Sequence, residues 1–281
     1  MSKPRNWLIT GANAGIGRRI TEQLLRRGDR VAGTARQPDQ LRELVAEFPE
    51  TLRVYQLDVT DTGRLREVVD QAFTELGGID VVISNAGYGL SGAAEEQTDE
   101  LIERQIATNL VGSIQLTRAV LPHLRAAGGG RFIQLSSMGG QMAYAGMSLY
   151  HTTKWGIEGF LEAVAQEVAP FGIGVTIVQP GGVRTDFGGR SMSLPPAIDA
   201  YADGPVGALR RQLEAGNISD QRPGDPDKVA AAIIDSVDVS PAPLRLTLGS
   251  DAYEKVGTAI RGRLEALEAQ KDLAHSTDVA P

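Results

Sequence analysis

Short apolar runs alternate along the chain with longer stretches whose apolar residues recur at helical spacing. The runs are Trp7–Thr10, Arg30–Ala35, Leu52–Leu57, Val81–Ser84, Arg131–Leu135, Val175–Gln179 and Leu244–Leu248. Their length and pattern predict strands. The helical spacing predicts helices near 16–27, 39–47, 62–76, 98–126, 150–169 and 226–237. Such alternation implies a parallel sheet, because each parallel crossover needs a helix to carry the chain back. Strands covered on both faces should be continuously apolar, and Ile79–Ile83 and Val175–Val178 largely are. The expected fold class is α/β: a doubly wound parallel sheet of about seven strands with helices on both faces.

End signals support these elements. Asp225-Pro226 supplies an N-cap and a first-turn proline ahead of Val229, Ile233 and Val237. Asp61 is placed to cap the helix that carries Leu65, Val68, Val69 and Phe73. Gly77-Gly78 stops that helix, and Gly128-Gly129-Gly130 stops the long one before it. The rhythm breaks over 184–225, which holds Pro195, Pro196, Pro205 and Pro223. A connection that long reads as an active-site lid over 186–222, with a disordered insertion as the alternative. Tyr201, Leu209 and Leu213 remain available to pack it down. Residues 1–270 read as one domain and 271–281 as a disordered tail.

Composition narrows the class. Of 281 residues, 28 are Lys or Arg and 35 are Asp or Glu, a formal charge of −7 with no basic run. That argues against nucleic acid or an anionic membrane surface as partner. There is no cysteine, so disulfides, thiolate catalysis and Cys-based metal sites are excluded. The histidines, His123, His151 and His275, are too scattered for a metal site, and no metal is expected. Trp7-Leu8-Ile9 is too short for a signal-peptide core, and no run approaches the roughly 20 apolar residues of a membrane helix. A cytoplasmic location is the expectation.

Thr10-Gly11-Ala12-Asn13-Ala14-Gly15-Ile16-Gly17 joins the first strand to the first helix. Gly11 permits a tight turn, Gly15 lets backbone approach a pyrophosphate, and Gly17 lets the helix pack close to the strand. The helix N-terminus then offers free N–H groups to phosphate oxygens. Asn13 and Ile16 belong to the same turn and are candidate cofactor contacts. A purely structural turn is the alternative. With the parallel sheet, the turn makes the architecture Rossmann-type.

Tyr150 and Lys154 stand one helical turn apart on one face. A phenol with a pKa near 10 is a poor acid–base at neutral pH, and a nearby ammonium would lower it. That pairing suits a general acid for a carbonyl or a base for an alcohol. Ser137, just past the strand Arg131–Leu135, could bond the same oxygen from the carboxyl edge of the sheet.

With these motifs in order, the chain resembles the short-chain dehydrogenase/reductase family over roughly residues 5–250. The matching pieces are Thr10–Gly17, Asp58-Val59, Asn85-Ala86-Gly87, Asn109, Ser137, Tyr150-x-x-x-Lys154 and Pro180-Gly181-Gly182-Val183-Arg184-Thr185. The resemblance implies an oxidoreductase that moves hydride between a nicotinamide cofactor and a carbonyl or secondary alcohol. It implies that Ser137, Tyr150 and Lys154 are catalytic, with Asn109 holding a water that extends the proton relay from Lys154. Lys154 would also bind the nicotinamide ribose. Asp58 and Val59 would hold the adenine, and Asn85, Ala86 and Gly87 would wall its ribose. Pro180 and Gly181 would turn the chain over the cofactor, with Val183 and Thr185 at the nicotinamide. A homodimer or homotetramer built partly on the 98–126 and 150–169 helices would also follow. Ser84 and His151 depart from the family pattern, and both read as structural. A non-catalytic NAD(P)-sensing protein on the same fold is the alternative function. Ala143, Met147, Phe187, Met192, Leu194 and Tyr201 could line the pocket for a small carbonyl or alcohol substrate.

NADP is expected in preference to NAD. The second strand runs Val31-Ala32-Gly33-Thr34-Ala35-Arg36, with no carboxylate before Asp39. A carboxylate there would repel a 2′-phosphate, whereas Arg36 offers it a charged planar fork. Thr34 could add a hydroxyl, and Arg18 and Arg19 are lesser candidates for the same phosphate.

Overall fold

The computed structural model describes residues 4–189, 191–216 and 220–279. The chain begins β1 (Asn6–Thr10), α1 (Gly15–Arg27), β2 (Arg30–Ala35), α2 (Arg42–Glu47), β3 (Leu52–Gln56), α3 (Thr62–Leu76) and β4 (Val81–Ser84). It continues through a two-residue strand, β5 (Gly89–Leu90), to α4 (Asp99–Ile106) and α5 (Gly112–Ala126). Then come β6 (Gly130–Leu135), α6 (Ser148–Val168), β7 (Ile173–Pro180), β8 (Met192–Ser193) and α7 (Pro205–Glu214). The last elements are α8 (Pro226–Ser236), β9 (Arg245–Leu248), α9 (Ser250–Glu268) and α10 (Lys271–His275).

The main sheet has seven strands in the order β3-β2-β1-β4-β6-β7-β9, every pair parallel. The chain winds outward from β1 to β3, then returns to the other side of β1 and winds outward to β9. The switch between β1 and β4 opens a crevice at the carboxyl ends of the strands, the place where such sheets bind ligands. Strand alternation divides the core. Leu8, Ala32, Val82, Phe132 and Val175 align in register and pack under α3, α5 and α6. Trp7, Ile9, Val31, Val81, Ile83 and Ile133 face the other way, under α1, α2 and α8. The predicted caps form: Asp61 accepts from the Arg64 N–H at 2.9 Å, and Asp225 from those of Asp227 and Lys228 at 2.8 and 3.3 Å.

Four features differ from the sequence expectation. The long helix over 98–126 is two helices, α4 and α5, joined by a wider π-type turn at Ala107–Val111. The turn carries Asn109, whose side chain is bonded to the backbone of Tyr88 rather than to its own helix. Wide turns of this kind gather at functional sites. The irregular stretch after 184 holds β8, which pairs with β5, and α7. A nineteen-residue helix, α9, was not anticipated; it buries only Ala252 and Val256, so it shows little of the core-facing stripe that periodicity detects. The tail beyond 270 begins with α10, all of it exposed. Ala280 and Pro281 lie outside the described residues.

Candidate functional site

The glycine turn closes around Asn85, which follows β4. Thr10 Oγ1 accepts from the Asn85 and Ala86 N–H groups at 3.0 and 3.1 Å. The Asn85 side-chain amide donates back to the carbonyls of Thr10 and Gly11 at 2.9 and 3.1 Å. This leaves no room for a side chain at Gly17. A Cβ at Gly17 would stand 2.4 Å from Asn85 Nδ2 and 2.5 Å from the Gly11 carbonyl. Gly11 adopts φ +68°, a conformation that favours glycine. Among the described residues no side chain caps α1 at Ala14, which leaves its first-turn N–H groups for an external acceptor. The turn therefore fits an anionic group such as a pyrophosphate. Asn13 donates to Gln40 at 2.5 Å, tying the turn to the chain after β2. Ile16 packs against the core beneath α1.

At the end of β2, Arg36 is exposed and its guanidinium makes no hydrogen bond among the described residues. Arg18 and Arg19 are committed elsewhere: Arg18 to Glu22 at 2.5 Å, Arg19 to Glu22 at 3.2 Å and to Asp227 at 3.7 Å. Thr34 is buried. Asp58 accepts from the Thr60 N–H and hydroxyl at 3.0 and 2.7 Å. Burial pushes its carboxyl up, but the Thr60 bonds and the fields of Arg36 and Arg104 outweigh it and hold the carboxyl below its ordinary range. Val59 is buried against Gly112, where a Cβ would come within 2.9 Å of Val59 Cγ2. Arg104 was not foreseen. It lies 5.6 Å over the Tyr88 ring, and nothing in the spacing along the chain marks it.

The carboxyl end of β6 and the start of α6 bring Ser137, Tyr150 and Lys154 together. Ser137 Oγ accepts from the Gly139 N–H at 3.1 Å, and its hydroxyl stands beside the Tyr150 phenol. Lys154 Nζ donates to the Leu135 carbonyl at 2.8 Å and lies 5.6 Å from the centre of the Tyr150 ring. Asn109 accepts from the Tyr88 N–H at 3.1 Å and donates to the Tyr88 carbonyl and Thr153 hydroxyl at 2.8 and 3.4 Å. No direct bond joins it to Lys154 among the described residues. Gly87 lies against it, with a Cβ position 3.2 Å from Asn109 Oδ1.

The expected lowering of the Tyr150 pKa by Lys154 is not what the geometry gives. Burial pushes the phenol well up; the Ser137 hydroxyl opposes this, Tyr144 adds to it, and Arg222 opposes it. Lys154 Nζ points at a strand carbonyl, over the face of the ring, so its charge is not directed at the hydroxyl. Burial also pulls the Lys154 ammonium down to about 8, against the field of Glu158. His151 is structural: one ring nitrogen meets the Gly139 carbonyl at 2.9 Å and the other accepts from the Tyr144 N–H at 3.4 Å.

Glu158 was missed, although it continues the row Tyr150, Lys154 on α6 by one more turn. It is 2% exposed. It accepts from Ser136 at 2.6 Å, Gln141 at 2.7 Å, Gln179 at 2.8 Å and Arg245 at 3.3 Å.

After β7, Gly181 donates to the Leu248 carbonyl at 2.8 Å and Gly182 to Asp251 at 2.8 Å, which fixes the turn beyond Pro180. Val183 bridges to Gly224. Thr185 reaches back to the glycine turn, its Cβ 3.9 Å from a Cβ position on Gly15. The Phe187 ring stands 5.8 Å from Tyr150, and Met192 lies over Gly89, so these two form an apolar wall. Tyr201 does not face the site; its hydroxyl donates to Glu95 at 2.8 Å. The expected lid is tied down from outside it: Glu96 accepts from the Ala93 N–H at 2.8 Å and, in the lid, from the Ile198 N–H at 2.9 Å, and it pairs with Arg210 at 3.0 Å. Residues 190 and 217–219 of that segment lie outside the described residues. Among the described residues no cluster of His, Cys, Asp and Glu could hold a metal, and no helix is long and apolar enough to cross a membrane.

Comparison with known proteins agrees with this layout. The short chain dehydrogenase family model matches residues 5–193. The oxidoreductase BOA17 of Botryotinia fuckeliana is 40% identical over 254 residues, 90% of this chain and 92% of that protein. A 3-ketodihydrosphingosine reductase of Bacteroides thetaiotaomicron is 36% identical over 249 residues, 88% of each chain. A solved short-chain dehydrogenase from Streptomyces avermitilis aligns with a TM-score of 0.92 at 38% identity, covering 99% of this chain and all of that one.

Proposed function

The chain belongs to the short-chain dehydrogenase family, and on that premise we propose that it is an NADP-dependent reductase of ketones or aldehydes, or the corresponding alcohol dehydrogenase. One observation carries the proposal. Tyr150 and Lys154 share a buried face of α6, with Ser137 just past the end of β6 beside them, at the sheet edge that also bears the glycine turn. A nucleotide sensor would need none of that polar trio. The reductase of Bacteroides thetaiotaomicron, by its name, acts on a ketone.

In this scheme residues 1–270 act as one unit. Gly11, Gly15 and Gly17 hold the pyrophosphate, and Arg36 the 2′-phosphate. Asp58 and Val59 hold the adenine, Asn85, Ala86 and Gly87 its ribose, and Pro180, Gly181, Val183 and Thr185 the nicotinamide. The bound nicotinamide supplies or accepts the hydride. Ser137 orients the substrate oxygen, and Tyr150 gives it a proton during reduction. Burial keeps that proton on the phenol through neutral pH, which suits a donor. Lys154 spends one donor on Leu135, which leaves its others for ribose hydroxyls.

The test follows NADPH absorbance across a panel of ketones and aldehydes with wild type and Tyr150→Phe. Turnover should fall about 10²–10⁴-fold in the variant while NADPH still binds. A wild-type rate in Tyr150→Phe would remove the proposed proton donor.

A further inference from the structure

Gln134 is a buried polar residue that the proposed reaction does not use. It stands on β6 and is 2% exposed. Its side-chain N–H donates to the Leu135 carbonyl at 3.1 Å, the same oxygen that takes Lys154 Nζ at 2.8 Å. The amide and the ammonium therefore converge on one atom. The other end of the amide, Oε1, is enclosed and accepts no hydrogen bond among the described residues. Turning the amide over gives no relief, because it would set Oε1 against the Leu135 oxygen, acceptor against acceptor.

Asn109, from which the family resemblance expects a water for Lys154, has its own groups committed. Its side chain is spent on Tyr88 and Thr153, and its carbonyl takes the Ser113 hydroxyl at 3.1 Å. Ser113 Oγ in turn accepts from Ser84 at 3.3 Å. Ser84 is the register partner of Gln134 on β4, so the two side chains leave the sheet side by side on one face. Ser84 is also 2% exposed, and its oxygen has lone pairs to spare. A buried acceptor without a protein donor is met by ordered water, and such a water makes about three hydrogen bonds. Three partners are at hand: Gln134 Oε1, Ser84 Oγ and a donor of the Lys154 ammonium.

We propose that Gln134 is a positioning residue for Lys154, holding a buried water between its side-chain oxygen, the Ser84 hydroxyl and the ammonium. The water site rests on this packing; its consequence for the cofactor rests on the reductase assignment above, in which Lys154 meets the ribose. The titratable groups about the ammonium are Tyr150, whose ring centre is 5.6 Å from Nζ, and Glu158, which is held by Arg245 from β9. Neither β4 nor the turn of Asn109 brings another. An acceptor on the ammonium favours its charged form, so removing the acceptor moves loss of the proton to lower pH.

A high-resolution crystal structure of the ligand-free protein should show a water within hydrogen-bond distance of Gln134 Oε1 and Lys154 Nζ. An Oε1 that meets a protein donor instead, or that stays enclosed and dry, would overturn the inference. NADPH binding followed by fluorescence against pH gives a second reading that needs no turnover. In Gln134→Leu the alkaline fall in affinity should begin at lower pH, with NADPH weakened about two- to tenfold near pH 8, the range of one net hydrogen bond. Gln134→Glu, which restores an acceptor, should return the fall to the wild-type pH or above it. Ser84→Ala should act in the direction of Gln134→Leu, and less. An alkaline fall that Gln134→Leu leaves in place, or affinity lost equally at every pH, would overturn the inference and make Gln134 a packing residue. Should Gln134→Leu fail to fold, Gln134→Glu and Ser84→Ala decide by the same fall. A wild type that binds NADPH with this pH dependence but reduces no carbonyl compound would overturn the reductase assignment and leave this inference standing.

Discussion

Glu158 stands one helical turn beyond Lys154 and takes the Ser136 hydroxyl at 2.6 Å, one residue from Ser137. It thereby ties α6 to the loop after β6. Through Gln179 and Arg245 the same carboxylate holds the ends of β7 and β9. Gln179 in turn accepts from the Thr247 hydroxyl at 2.9 Å. The strand ends that carry Ser137 and the Pro180 turn are thus fixed relative to α6 by one buried anion.

Replacing that anion by a methyl group should be severe. Glu158→Ala leaves the donors of Ser136, Gln141 and Gln179 without an acceptor, and Arg245 keeps only its pairing with Glu162. Removing one partner of a buried ion pair costs about 3–5 kcal/mol. Urea denaturation should show a loss of that order. A loss within experimental error would mean that the network contributes nothing net.

Lys154 makes stability depend on alkaline pH. Its ammonium releases its proton near 8 in the folded chain and at the ordinary 10.5 when unfolded. Between those values the unfolded state binds more protons, so stability should rise as pH goes from 8 toward 10.5. Lys154→Met should flatten that rise. Affinity for NADPH should fall over the same range as the ammonium is lost. Parallel pH–stability curves for wild type and variant would contradict this.

Arg36 should set the cofactor preference, since Arg18 and Arg19 are held by Glu22 and Asp227. Arg36→Ala should weaken NADPH by about ten- to a hundredfold and leave NADH nearly unchanged. Kinetics with both cofactors decide it, and a wild type that prefers NADH would refute it.

Glu96 should hold the segment over the site in place without any ligand. Burial pushes its carboxyl up, but the Ile198 and Ala93 N–H groups and Arg210 outweigh it and hold the carboxyl below its ordinary range. The contribution is present above the ordinary carboxylate pKa and is lost as pH falls through the folded value. Glu96→Gln should raise hydrogen exchange in Met192–Ser193 and Pro205–Glu214, and acid should do the same to wild type. Equal protection in wild type and variant at neutral pH would show that other contacts hold the segment.

The sequence by itself determined the alternation that makes the parallel sheet, the glycine turn, and the row of Tyr150 and Lys154 on one helix. These are local signals: apolar periodicity, turn chemistry and one-turn spacing act over a few residues. The tertiary structure decided what depends on contacts between distant segments. It split the 98–126 helix at Asn109, because Tyr88 claims that side chain. It turned Lys154 toward Leu135 and buried Tyr150, and burial raises the phenol where spacing alone expected the ammonium to lower it. Glu158 and Glu96 gain their places from partners on other elements, 17 to 114 residues away in the cases of Gln141, Gln179, Ile198 and Arg210. A charge has no periodicity that announces its partner, and so their roles became visible only once the chain had folded around them.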